Sequence, residues 1–171
     1  VADTLSAVAA NDTHFVTLDR GINAHYWSTD SGKTWTQVNA TERGTYNYII
    51  ANDASQQFIG VRDASAGNLN YTGAISIDYT DVEDPNVGFS NIVGGPPITQ
   101  GIGAYSIAQG PLTGRLVIVG VGNDYQYWSD DNGVTWNQTT QGRNNVLECV
   151  ACGVVNGAER SDAGSSERRQ Q

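Results

Sequence analysis

Two stretches of the chain place chemically capable side chains in matching order. Residues 26–38 read YWSTDSGKTWTQV and residues 127–139 read YWSDDNGVTWNQT. Each sets a hydroxyl, a carboxylate and an indole close together, and a carboxylate so placed can serve as a general base or a hard-metal ligand. A duplicated active site is therefore one reading, and a duplicated turn is the other. In the second, Asp30 and Asp131 accept hydrogen bonds from backbone N–H groups that a chain reversal leaves unpaired. Gly32 and Gly133 take positive φ without steric cost. Ser28 and Ser129 bond locally as the turn opens, Thr34 and Thr135 stand where strand pairing resumes, and Trp35 and Trp136 lay an apolar ring between adjacent units. Turn formation and packing account for every residue type.

Other groups invite weaker chemical readings. Asp78, Asp81, Glu83 and Asp84 crowd one irregular segment and offer oxygen ligands to Ca2+, although the spacing and glycine of a dedicated loop are absent; a solvated acidic turn is the alternative. Cys149 and Cys152 form a lone C-x-x-C with no second half of a metal site, since His14 and His25 are far upstream. On a strand, positions three apart point to opposite faces and lie about 10 Å apart, too far for a disulfide; both read as small core residues. Tyr46, Tyr48, Tyr71, Tyr79 and Tyr125 could pack sugar rings, with Tyr71, Tyr79 and Tyr125 the candidate glycan contacts, or could simply pack the strands. Asn11, Asn39, Asn70 and Asn137 each open an N-x-S/T triplet and are candidate glycosylation sites.

The elements that must hold these groups are strands. No window shows helical periodicity, while short β-rich runs recur between turn residues. Leu5–Leu18, Tyr48–Val61 and Tyr105–Val119 each read as apolar run, polar turn, apolar run, the first two sharing Ala-Asn-Asp. Each precedes a hairpin of the kind quoted above, with Ile75–Val93 as a degenerate copy that sets Phe89 where Trp35 and Trp136 stand. The chain is thus expected to be all-β, built from four-stranded antiparallel units of ~40–55 residues, the size of β-propeller blades. The units fall at about 4–43, 44–98 and 99–145, with a partial one at 146–157 ending a repeat domain of 1–157. Residues 158–171 read as a polar tail or arm. Three blades and a fraction fall short of a closed ring, so an open arc or one completed by oligomerisation is expected.

The 171 residues are 39% hydrophobic and 16% charged, with 18 acidic against 9 basic side chains and a formal net charge of −9. That balance repels phosphate backbones and argues against nucleic acid as a partner. No apolar run is long enough for a membrane-spanning helix. Methionine is absent, even at position 1, which suits a processed product, a domain of a longer protein, or a chain without its initiator.

Both complete hairpin turns match the Asp-box, S-x-D-x-G-x-T-W, and the chain resembles the Asp-box (BNR) repeat family over roughly residues 4–157. That family includes sialidases, sortilin-type receptors, photosystem assembly factors and lectin-like propellers. The resemblance implies propeller blades with the Asp-box joining the third and fourth strands, away from the catalytic face of the sialidases. A sialidase also carries an arginine cluster, a Tyr nucleophile with a Glu partner, and an Asp acid. Here Arg20, Arg43, Arg62, Arg115 and Arg143 are scattered, and only an assembly of copies could gather Arg62, Tyr71 and Glu83. The expectation is therefore a module with no catalytic residues and no cofactor, acting as a structural or interaction component of an extracellular or virus-particle assembly through self-association. A glycan-binding module is the alternative, and a sialidase-type hydrolase fragment the third reading.

Overall fold

The computed structural model describes residues 5–19, 24–39, 45–63, 73–93, 103–121, 125–140, 147 and 149–164. They form strands and, at Tyr79–Asp81, a single turn of 3-10 helix. The first sheet orders β1 (Leu5–Ala10), β2 (Phe15–Asp19), β3 (His25–Ser28) and β4 (Thr36–Val38) as an antiparallel meander. The second repeats it with β5 (Thr45–Asn52), β6 (Gln57–Asp63), β7 (Ala74–Asp78) and β8 (Ser90–Asn91). The third holds β9 (Gly103–Gln109), β10 (Leu116–Val121), β11 (Tyr125–Ser129) and β12 (Asn137–Thr140). A fourth sheet contains β13 (Cys149–Val155) and β14 (Ala158–Gly164).

Successive sheets stack face to face around one axis, with the first strands adjacent: β1 beside β5, β5 beside β9, β9 beside β13. Among the described residues this is a propeller arc of three four-stranded blades and one two-stranded blade. Alternation along the strands decides which side chains meet across each gap. Val16 and Leu18 of blade one pack with Ile49, Phe58, Ile75 and Ile77 of blade two. The next residues along β6, Ile59 and Val61, turn the other way and pack with Ile107, Leu116 and Ile118 of blade three. Val117 and Val119 then meet Val150 of blade four, with Leu147 alongside. Gly60 is set by this stacking, because a Cβ there would lie 2.8 Å from Leu18 Cδ1 of the neighbouring blade.

Each innermost strand of a complete blade carries one extra residue. The register slips between Leu5 and Val8 on β1, between Tyr46 and Tyr48 on β5, and between Ser106 and Ala104 on β9. A bulge of this kind raises the local twist of an antiparallel pair, and here it recurs where the blades crowd the axis.

The expectation of a polar tail or arm over 158–171 is corrected for residues 158–164, and residues 165–171 lie outside the described set. Residues 158–164 are β14, paired to β13 along its length. Asn156 and Gly157, at φ 51 and 76, turn the chain between them, as an Asn-Gly pair does in a two-residue hairpin. The polarity belongs to the outermost described strand of a two-stranded sheet. The cysteines are also corrected in part: both are free, and Cys152 lies near the Val117–Val119 cluster, but Cys149 is exposed.

Candidate functional site

The turns linking strands one to two and three to four all lie at one end of the blades. The two S-x-D-x-G-x-T-W turns there share their wiring but for one bond. Ser28 Oγ donates to Asp30 Oδ1 at 2.7 Å and accepts from Gly32 N at 2.9 Å. Asp30 Oδ1 accepts from Lys33 N at 3.0 Å and Thr34 N at 2.9 Å, and Oδ2 accepts from Thr34 Oγ1 at 2.7 Å. The second copy repeats these bonds with Ser129, Asp131, Gly133 and Thr135 at 2.6–2.8 Å, except that Val134 N, in the place of Lys33 N, donates to the Asp131 backbone carbonyl at 3.3 Å. Each indole N–H closes back on its glycine carbonyl: Trp35 on Gly32 at 3.0 Å, Trp136 on Gly133 at 2.9 Å. Both glycines take positive φ, 80 and 92. Hydrogen bonds from the threonine hydroxyl and amide, then from the serine, hold both carboxyls down to about 2. A carboxylate so saturated with donors is a poor proton acceptor, and the geometry is that of a turn.

The tryptophans face the preceding blade. Gly133 and Trp136 lie against Ile92 and Leu116, so blade two covers them. Phe89, in the degenerate copy, is fully buried and meets His25 of blade one edge-on, ring centroids 5.5 Å apart. Trp35 has no covering blade among the described residues and is 39% exposed.

Between blades one and two the same end opens into a cleft of about 610 Å³, lined by Asn11–His14, Asp53, Gln56, Tyr79 and Thr80. Asn11 Oδ1 caps one turn, accepting from Thr13 N and His14 N at 2.9 and 2.7 Å. Tyr79 OH donates to Asp53 Oδ1 at 3.0 Å, and burial followed by the Asp53 carboxylate pushes its phenol well up. His14 Nε2 meets Glu83 Oε1 at 2.8 Å across the gap between blades. Deeper, burial lowers the pKa of His25, whose Nε2–H donates to the Val82 carbonyl at 2.9 Å.

The candidate glycan contacts divide. Tyr79 lines this cleft, Tyr71 lies outside the described residues, and Tyr125 opens β11 with its side chain outside the described set. Arg62 is buried at one end of β6, bonded to Asn91, while Glu83 follows β7 at the other end of the same blade. The structure does not bring these two together. The four acidic residues offered to Ca2+ turn to separate partners: Asp78 to Gln57, Asp81 to Thr80, Glu83 to His14, Asp84 to Asn86. Among the described residues no three of His, Cys, Asp and Glu converge. Asn39 and Asn137 are exposed, Asn11 is spent in its turn, and Asn70 lies outside the described residues.

Sequence reasoning missed Glu159. The first turns of blades one and two are capped by their own Asn11 and Asn52, but blade three has Gln109-Gly110 there. Its turn amides Leu112 N and Thr113 N instead donate to Glu159 Oε2 of β14, at 2.9 and 3.0 Å. A Cβ on Gly110 would fall 2.1 Å from that carboxylate. The signal available in sequence was the Asn156-Gly157 hairpin, which extends the strand pair to this residue.

No family model and no curated protein matches the chain. Solved structures do. The major allergen Mala s 1 of Malassezia sympodialis aligns over 94% of this chain and 49% of its own, with 20% identity and a TM-score of 0.61. The β-propeller domain of Cps50 (Swd1) from Myceliophteria thermophila aligns over 87% and 44%, with 6% identity and a TM-score of 0.60. YCF48 bound to a D1 peptide aligns over 87% and 43%, with 12% identity and a TM-score of 0.56. The fold is that of a β-propeller, and the chain spans about half the length of these proteins.

Proposed function

We propose that the chain is a non-catalytic β-propeller module that works by presenting blade surface to other polypeptides, including copies of itself, in an extracellular or virus-particle assembly. The observation that carries this reading is the apolar exposure on blade one, where Trp35 is 39%, Leu5 50% and Val8 58% exposed, whereas the Phe58–Ile75–Ile77 layer of blade two is buried. Large apolar side chains left open to water support an interaction surface. The one propeller above whose structure holds a bound peptide, YCF48, is consistent with a peptide-presenting role. Light scattering during gel filtration tests self-association. Assemblies that dissociate on Trp35→Asp support the proposal, and a monomer with unchanged mobility and no peptide or protein partner counts against it.

The cleft at Tyr79 favours glycan binding as the second reading, since a phenol ring beside the Asp12 and Asp53 carboxylates suits a hydroxyl-rich ligand. A glycan array read with the protein and with Tyr79→Ala tests it, and no bound glycan in either case retires it. A fluorogenic sialoside assay addresses the hydrolase reading, and calorimetric titration with Ca2+ the acidic segment.

A further inference from the structure

Two steps of the chain set asparagine before glycine, Asn132-Gly133 and Asn156-Gly157. Both are turns with positive φ at each residue, 57 and 92 in the first, 51 and 76 in the second. Asparagine is a thermolabile side chain, and a glycine after it leaves the next amide nitrogen unshielded by any side chain. The two steps differ in what holds that nitrogen.

Gly133 is buried, and its N–H donates to Ser129 Oγ at 2.8 Å. A Cβ there would lie 3.5 Å from the Trp136 ring and 3.6 Å from Leu116, so the backbone is enclosed. Attack by Gly133 N on the Asn132 side chain must first break the serine bond and move the turn off the indole. Gly157 N has no hydrogen bond among the described residues. A Cβ on Gly157 would meet nothing within 4 Å, and both residues of the step are exposed. This exposure belongs to the place in the blade. Asp12 and Thr13 of blade one, and Asp53 and Ala54 of blade two, occupy the same first turn and are exposed although another blade stacks on each. Those turns open with Asn11 and Asn52, whose side-chain oxygens are tied to amides two and three residues on. Among the described residues, Asn156 alone joins an untied side chain to an open glycine amide.

We propose that Asn156 is a site of spontaneous deamidation, and that the turn around Asn132 protects that residue from the same reaction. The Gly157 amide nitrogen gives its proton to a solvent base and attacks Asn156 Cγ. The new C–N bond closes a succinimide, and the side-chain nitrogen leaves as ammonia. Water then opens the ring at one carbonyl or the other, leaving aspartate or isoaspartate, so the net change is water taken up and ammonia lost. Aspartate tolerates the left-handed backbone of this turn. Isoaspartate routes the main chain through the β-carbon, and the longer turn cannot keep Val155 opposite Ala158 or Val154 opposite Glu159, because hairpin register follows the turn. Glu159 is then drawn away from Leu112 N and Thr113 N, and the first turn of blade three loses its cap. The proposal is independent of what the blades bind.

The test incubates the full chain in mildly alkaline buffer and follows the peptides around both steps by digestion and mass spectrometry. Acid should accumulate at position 156 on the order of tenfold faster than at 132, the scale set by one buried hydrogen bond. In urea the two rates should converge. Ser129→Ala, confirmed folded by circular dichroism, should speed conversion at 132 and leave 156 unchanged. In the isoaspartyl form, isolated by ion exchange, hydrogen–deuterium exchange at Leu112 and Thr113 should quicken, whereas Asn156→Asp should leave it as it was. Equal rates at the two steps of the folded chain overturn the proposal. So does an unconverted Asn156 under conditions where a peptide of residues 153–160 converts. Unchanged exchange at Leu112 and Thr113 in the isoaspartyl form overturns the coupling to blade three.

Discussion

The two S-x-D-x-G-x-T-W turns are nearly the same object in two surroundings. The hydrogen bonds they share coincide to within a few tenths of an ångström, from the serine that holds the aspartate to the indole that closes on the glycine carbonyl. What differs is what lies on the tryptophan: blade two on Trp136, nothing among the described residues on Trp35. The turn is thus a local device, complete in itself, and its contribution to the arc depends on the next blade. The motif marks where a blade can be stacked, and the neighbour decides whether it is.

The largest expected effect tests the covering. Trp136→Ala should cost about 2–3 kcal/mol by urea unfolding, because it removes a ring packed between two blades. Trp35→Ala should cost about 1 kcal/mol or less, having less apolar surface to lose. Equal costs in dilute monomer would break the comparison.

Removing the shared wiring comes next. Asp30→Ala and Asp131→Ala should each lower the thermal midpoint by several degrees and by similar amounts, since each strips a threonine amide, a threonine hydroxyl and a serine hydroxyl of their acceptor. A drop confined to Asp131 would show that only the covered turn is structural.

Acid sharpens the same point. Both carboxyls are held at about 2 against an ordinary 3.8. Their stabilisation is therefore fully present above about pH 4 and is lost as pH falls through 2. His25, lowered from 6.5 by burial, adds an earlier loss that starts as pH falls below 6.5, because the unfolded chain then binds the proton more readily. Midpoints followed from pH 7 to pH 2 should decline in two stages, and the Asp30→Ala/Asp131→Ala double variant should flatten the second.

The smallest effect is at the surface. Glu83→Gln, which weakens the contact with His14, should cost under about 1 kcal/mol by urea unfolding, as partly exposed pairs do.

What could be read from the sequence was what is local. Alternation and turn residues placed the blades, and the turn chemistry followed from Ser28 to Trp35 because every partner lies within a few residues. Phe89 was found by its place in the order, although β8 is only two residues long. The inner-strand bulges escaped because one extra residue in a strand leaves no composition signal. Glu159 escaped because its partners, Leu112 and Thr113, are far away in sequence. His14 and Glu83 were visible as residues but not as a pair, since the stacking of blades brings them together.

The Glu159 contact also imposes an order of assembly. Blades one and two cap their first turns with Asn11 and Asn52, so those turns can mature as soon as their own hairpins form. The turn of blade three waits for a carboxylate from beyond Gly157, a contact of long sequence separation that is slow to close. During synthesis from the N-terminus, where units fold in succession, the amides of Leu112 and Thr113 stay uncapped until β14 has emerged. The third blade is thereby the one whose completion reports that the chain has been made as far as the fourth.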